Sequence, residues 1–198
     1  MTWEWNPNII SEFSLSVPDE RSELLRYAVS VIGTGSKCIE LGVQWGEHAK
    51  LIFDELRPSS LYLLDSWQSG VEHGTTENDE YYEELFNRTK ETFSNYNNVK
   101  LIRDRTDVAH LKFYDKYFDF IYVDADHEYS AIKKDLNNWM PKLKRGGIIA
   151  GHDFDDRRPG VIRAVNEFVE NNSTLIKTFK MFGDVKNNQI PCWLVKTR

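Results

Sequence analysis

Lys37-Cys-Ile-Glu-Leu-Gly-Val-Gln-Trp-Gly-Glu-His-Ala-Lys50 is the stretch whose reading decides the fold. It opens as a short apolar strand, Cys38 to Leu41. It breaks at Gly42 and Gly46, then resumes with helical spacing at Ala49, Leu51, Ile52 and Leu56. A strand, a Gly-punctuated turn and a helix in succession commonly hold nucleotide-bearing cofactors, because the first helical N–H groups face the ligand and glycine lets it approach the backbone. Glu40-x-Gly42-x-x-x-Gly46 is not the Gly-x-Gly-x-x-Gly of dinucleotide binding. Its first position is acidic and its glycines stand further apart. An acid here repels a pyrophosphate and suits a cofactor carrying a cation or an amine. The bland alternative is a plain turn with glycines used for geometry.

The chain has 198 residues, the size of one domain. Hydrophobic residues at 40% suffice for one sizeable core. A formal net charge of −6 argues against a nucleic-acid footprint and against attraction to anionic membranes, so neither is expected as a partner. Residues 1–5 do not read as a targeting signal, and no apolar run is long enough to span a membrane. Cys38 and Cys192 both fall in predicted strands and read as buried free thiols of a reducing compartment, so a cytoplasmic location is expected.

Residues 1–17, with Trp3 and Trp5, read as an N-terminal arm, and 18–198 as a single domain. Pro18-Asp19-Glu20 starts a helix that Gly33-Thr-Gly35 stops. Strand 37–41, helix 47–56 and strand 61–65 follow, then a polar loop at 66–78 and helix 79–95. Strand 99–103, a short helix near 107–114, strand 118–123 and helix 128–143 come next. Gly146-Gly147 is expected to break that helix before strand 148–150, and Gly160 to precede a helix reaching about 171. Stretches 175–182 and 192–195, joined by a turn at Asn187-Asn188, finish the chain. Alternating strands and helices predict an α/β fold, a parallel sheet covered on both faces, and the last two strands an antiparallel hairpin on one edge. Ligands in such sheets lie beyond the carboxyl ends of the strands where strand order reverses. That rule gathers 40–42, Asp65, 104–107, 124–127 and 151–153 around one crevice.

S-adenosylmethionine carries both a sulfonium and an amine, which suits Glu40. Asp65 ends the second strand, where an acid can accept ribose hydroxyls; a solvated strand end is the plain alternative. Trp67 reads equally as a ring stacked on adenine or as core. His127 begins the helix after strand 118–123 and reads as a general base or as a helix cap. His48 is expected on the exposed side of its helix, His73 in the loop, and His110 without supporting neighbours. The run Asp155-Asp156-Arg157-Arg158 reads as a solvated loop, and Tyr81-Tyr82 as core or subunit contact; a homodimer is left open.

Glu40-Leu-Gly-Val-Gln-Trp-Gly46, Asp65, Val123-Asp-Ala-Asp-His127 and Gly146-Gly-Ile-Ile-Ala-Gly-His-Asp153, in this order, resemble a class I S-adenosylmethionine-dependent methyltransferase. More narrowly, Asp-Ala-Asp-His-x-Tyr, Gly-His-Asp and Pro159-Gly-Val-x-x-Ala-Val resemble a small bacterial branch similar to the cation-dependent O-methyltransferases. The resemblance implies a three-layer, doubly wound, Rossmann-like sheet of seven strands, with the last antiparallel. It implies that Glu40, Gly42, Gly46, Asp65, Ser66, Trp67 and Asp124 bind the cofactor. Arg105 and Thr106 would border its adenine, although they depart from the commoner Gly-Asp-Ser, so Asp107 is a substitute acid there. It implies Asp124 and His127 as catalytic groups, and Asp124, His152 and Asp153 as ligands of Mg²⁺ or Mn²⁺. The acceptor would be a small hydroxylated molecule. An NAD-dependent oxidoreductase or a non-catalytic cofactor-binding protein are the rivals.

Overall fold

The computed structural model describes residues 19–72, 75–183 and 189–198. The expected arm at 1–17, Pro18, His73 and the turn at Asn187-Asn188 lie outside the described residues. The elements are α1 (Glu20–Ile32), β1 (Lys37–Leu41), α2 (Glu47–Leu56), β2 (Ser60–Asp65), α3 (Asp79–Thr92), β3 (Val99–Arg103), α4 (Thr106–Ala109), β4 (Phe118–Val123), α5 (Tyr129–Trp139), β5 (Leu143–Gly151), α6 (Pro159–Asn171), β6 (Ile176–Phe182) and β7 (Cys192–Thr197).

The strands form one seven-stranded sheet in the order β3-β2-β1-β4-β5-β7-β6. β7 runs antiparallel to both β5 and β6, so it alone opposes the rest. Strand order reverses between β1 and β4, and the crevice beyond their carboxyl ends is the expected ligand site.

Period-two alternation of side chains sorts the core into two halves. Ile39, Leu41, Ile121, Val123 and Ile149 face α5 and α6. Cys38, Leu61, Leu63, Phe120, Tyr122, Ile148 and Ala150 face α1 and α2. Glu40 shares the parity of Cys38, so its carboxylate points into the α1–α2 half. α1 begins at a side-chain cap, Asp19 Oδ1 accepting from Arg21 N at 3.0 Å, which fixes the first helical turn beside that half.

Several boundaries differ from the sequence reading. The helix expected over 128–143 ends at Trp139, because Pro141 has no N–H to continue it, and Met140–Lys142 tighten into a 3₁₀ turn. Gly146-Gly147 therefore does not stop a helix. It lies inside β5, where the register against β4 shifts between Phe118 and Phe120. Gly160 falls within the first turn of α6, not before it. Among the described residues no helix is long and apolar enough to cross a membrane. Cys38 and Cys192 are buried and free.

Candidate active site

The loop after β1 is held at both ends by its neighbours. Gly42 has φ +84°, and its N–H donates to Leu64 O at 2.9 Å. A Cβ added there would sit 2.1 Å from the Asp124 carbonyl, so only glycine lets the loops after β1 and β4 cross. Asp65 Oδ2 accepts from Val43 N (2.8 Å) and Gln44 N (3.0 Å), and Oδ1 from Trp67 N (2.8 Å). A carboxylate has about four lone-pair sites, and three are taken. Asp65 is thus first a staple joining the β1 and β2 loops, with one site left for a ribose hydroxyl. Trp67 is fully buried; its Nε1 donates to Gln44 O at 2.8 Å and its ring packs edge-on against Phe86. Full burial and the engaged indole N–H agree with the core reading of Trp67, which also borders the cavity described below.

His48 corrects the sequence reading outright. It is buried, 5% exposed, and its Nδ1 lies 2.7 Å from Glu40 Oε1 and its ring 4.0 Å from that of Tyr122. One turn before Ile52, it sits on the buried face of α2. Burial raises the Glu40 carboxyl well above its ordinary range and lowers His48 well below its own, so both shifts favour the uncharged forms. Glu40 Oε2 and His48 Nε2 have no hydrogen-bond partner among the described residues. Each such buried orphan costs about 1–3 kcal/mol until a ligand meets it.

Across the crevice stand Asp124, His127, His152 and Asp153. Asp153 occupies left-handed backbone at φ +58°, a strained conformation for a non-glycine residue and one that collects at functional sites. His127 Nε2 lies 2.8 Å from Asp153 Oδ2, and Nδ1 lies 3.3 Å from Glu72 Oε1. Burial disfavours the imidazolium, but the bonds to Asp153 and Glu72 outweigh it and push His127 up to about 10. Burial works against the Asp153 carboxylate too, yet His127 and His152 hold it well below the ordinary range. Burial lifts Asp124 above its ordinary value against the pull of a residue the sequence reading did not name, Arg21. Arg21 Nη2 lies 2.9 Å from Asp124 Oδ2 and 3.2 Å from His152 Nδ1. His127 does not cap α5; Glu128 precedes its first turn.

The expected metal ligands are brought together: atoms of Asp124, His152 and Asp153 lie within 4.8 Å of one another. An ion bound to Asp124 Oδ2 and His152 Nδ1 at about 2.0–2.2 Å would need the space that Nη2 of Arg21 occupies. As arranged, the cluster holds a guanidinium and does not fit a divalent ion as well.

One cavity of about 630 Å³ joins both ends and is within the range of cofactor sites. Its wall includes the residues expected at the cofactor other than Gly46, together with the expected catalytic groups and the metal cluster; Gly46 stands behind Trp45 and Glu47, against Phe93 and Thr89. Arg105 and Thr106 are among them, but Arg105 is tied up by Asp107, with Nε and Nη2 at 3.0 and 2.9 Å from its carboxylate. Tyr81 and Tyr82, with ring centroids 5.4 Å apart, also line this cavity, where core or subunit contact was expected. The 155–158 run folds on itself, Asp155 accepting from Arg157; 156–158 are exposed as a solvated loop would be, while Asp155 is buried. His110 packs against Trp139.

Arg21 and Asp135 escaped the sequence reading, and each left a signal. Arg21 is a base in a first helical turn that also holds Glu20 and Glu23, where the dipole disfavours it. Asp135 stands on the same stripe of α5 as Ile132, Leu136 and Trp139. Burial pushes it up to about 7 against a hydrogen bond from Thr106. A carboxyl raised in the folded state costs stability as pH climbs from its unfolded value through 7. Asp135→Asn is therefore expected to stabilise the protein by roughly 1–4 kcal/mol at pH 8 and by less at pH 5. Thermal unfolding at both pH values checks it, and an equal gain at each would remove Asp135 as the cause.

A sheet of this order, with a glycine crossing at its switch point and carboxylates ending β1, β2 and β4, defines a cofactor-dependent transferase site of the class I methyltransferase type. A family model described as a methyltransferase domain matches residues 39–154, more than half of the chain, and the chain belongs to that family. Among solved structures it is similar to a Streptococcus mutans protein assigned as a methyltransferase, in complex with S-adenosylhomocysteine. The two share 14% identity and a TM-score of 0.69, covering 93% of this chain and 99% of that one. It is similar also to a Staphylococcus aureus protein assigned as a caffeoyl-CoA O-methyltransferase, at 15% identity and TM-score 0.64, covering 98% and 93%. The Sinorhizobium fredii protein y4gI is 28% identical over 129 residues, 63% of this chain; the chain spans 14% of that relative's length. Family membership displaces the NAD-dependent alternative.

Proposed function

We propose that the protein transfers the methyl group of S-adenosylmethionine to the oxygen of a small hydroxylated acceptor. The observation that carries this is the half-buried Asp124 carboxylate at the end of β4, facing the cavity and held by Arg21. The orphan Oε2 of Glu40 accepts a hydrogen bond from the cofactor's amino group, and Gly42 lets the two loops that wall the cofactor cross. The acceptor oxygen attacks the methyl carbon in line with the sulfur. The C–S bond breaks, sulfur keeps the pair as a neutral thioether, the C–O bond forms, and the hydroxyl proton passes to Asp124. Alignment supplies most of the acceleration, and a half-buried carboxylate of raised pKa is a better base than a surface one. His127, already protonated, holds Asp153 instead of serving as the base.

This division of labour sets the pH profile. Activity is expected to rise with pH as Asp124 loses its proton, above the ordinary aspartate range, and to fall above about 10 as His127 loses its own. An ascending limb in kcat/KM that persists in Asp124→Asn would instead make neutral His127 the base. A second reading, with Mg²⁺ or Mn²⁺ at Asp124, His152 and Asp153, is favoured by their 4.8 Å clustering and requires Arg21 to leave. The test is binding of S-adenosylhomocysteine by calorimetry, then a screen with isotopically labelled methyl donor. Binding without transfer to any hydroxyl, or transfer only to amines, ends the proposal.

A further inference from the structure

We infer that Arg21 is a built-in cation that closes a metal site: the chain carries on its own first helix the charge that cation-dependent enzymes take from solution. This rests on the methyltransferase reading of the cavity, but the evidence for it is geometric. Nη2 of Arg21 lies 2.9 Å from Asp124 Oδ2 and 3.2 Å from His152 Nδ1, two of the three groups of the cluster. The third, Asp153, is already engaged through Oδ2 by His127 Nε2 at 2.8 Å and by His152 Nδ1 at 3.2 Å. His152 Nδ1 cannot donate to Asp153 and accept from Arg21 at once, so one proton position satisfies one neighbour only. Its Nε2 is buried without a hydrogen-bond partner among the described residues, with Glu20 Oε1 3.6 Å away.

The guanidinium is fixed, not a mobile surface charge. Its side chain is 26% exposed, and it projects from a turn capped by Asp19 and anchored by the wholly buried Leu24 and Leu25. A base in that turn opposes the helix dipole, and the ion pair with Asp124 offsets the cost. The group faces the cavity, so its remaining N–H groups can donate to an acceptor oxygen as that oxygen gains negative charge. Unlike a bound ion, it cannot be removed by a chelator.

Titration with MnCl₂ alone, read by calorimetry and by the Mn²⁺ resonance signal, tests this without any acceptor. The wild-type protein is expected to show no single site tighter than millimolar. Arg21→Met keeps the apolar stem, removes the like charge and is expected to bind Mn²⁺ at least about tenfold tighter, since two charges a few ångströms apart in such a site repel by more than about 1 kcal/mol. Adding Asp153→Ala should abolish the gain. One tight Mn²⁺ per wild-type chain, lost in Asp153→Ala, would overturn the inference, as would a folded Arg21→Met protein with no gain. If Arg21→Met does not fold, Arg21→Gln takes its place, and the wild-type titration decides by itself. S-adenosylhomocysteine affinity, measured alongside, reports on the methyltransferase reading separately.

Discussion

Gly42→Ala is expected to abolish measurable S-adenosylhomocysteine binding and to destabilise the fold, while Gly46→Ala does neither fully. Both glycines have left-handed backbone, φ +84° and +85°, so alanine pays about 1–2 kcal/mol at either for its conformation. What separates them is what the new methyl meets. At Gly42 it would lie 2.1 Å from the Asp124 carbonyl oxygen and 2.7 Å from Ala125 Cα, all backbone of the neighbouring loop. Backbone there cannot yield, because Asp124 N is bonded to Leu41 O at 2.8 Å and Gly42 N to Leu64 O at 2.9 Å. At Gly46 the methyl meets side-chain atoms of Phe93 and Thr89 at 3.2 and 3.3 Å, which shift by a few tenths of an ångström. Overpacking of the first kind adds about 1–3 kcal/mol or more, enough with the strain to lower the melting temperature by on the order of 10 °C in a domain this size. The displaced loop carries Val43 and Gln44 away from Asp65 and breaks the cofactor wall. Circular dichroism melts with calorimetry decide. Native-like binding by Gly42→Ala would mean that the two loops do not cross as described.

The same stretch shows what a sequence can and cannot disclose. The strand–turn–helix at 37–56 was legible because strand apolarity, glycine and helical spacing are all local, and β1 and α2 fall where they were expected. Position along each strand end then gathered Glu40, Asp65, Asp124 and Asp153 into one cavity, since parallel strands deliver their carboxyl ends to one edge of the sheet. Pairings were not legible. His48 reads as surface beside Glu47 and Lys50, and only the orientation of α2 against β1 shows that it meets Glu40. Arg21 and Asp124 are 103 residues apart in the chain, and nothing in either local pattern announces their contact. Asp65 was seen as a ligand group, while three backbone N–H groups make it a staple first. The helix ends at Trp139 because Pro141 lacks an N–H, a local signal that precedes the two glycines at 146 and 147.

Asp124→Asn is the substitution expected to separate chemistry from cofactor binding most sharply. Asparagine keeps the shape and one acceptor oxygen but removes the negative charge, so the variant can neither take the acceptor's proton nor neutralise Arg21. Loss of a positioned base is expected to lower kcat by roughly 10²–10⁴-fold. S-adenosylhomocysteine affinity should change by only a few-fold, because Glu40, Asp65 and the Gly42 loop are untouched. The structural cost needs its own control. A guanidinium left without its carboxylate destabilises the fold, and since the Arg21 side chain is 26% exposed, water screens part of that penalty. Arg21→Met combined with Asp124→Asn removes both charges and should recover stability relative to Asp124→Asn alone, a non-additivity expected of residues in contact. It should not recover kcat, because the base is still missing. Stability and turnover regained together would make Asp124 a structural partner of Arg21 only, and the proton would have to leave by another route. Turnover unchanged in Asp124→Asn, with stability lost, would place the base elsewhere among the cavity's carboxylates.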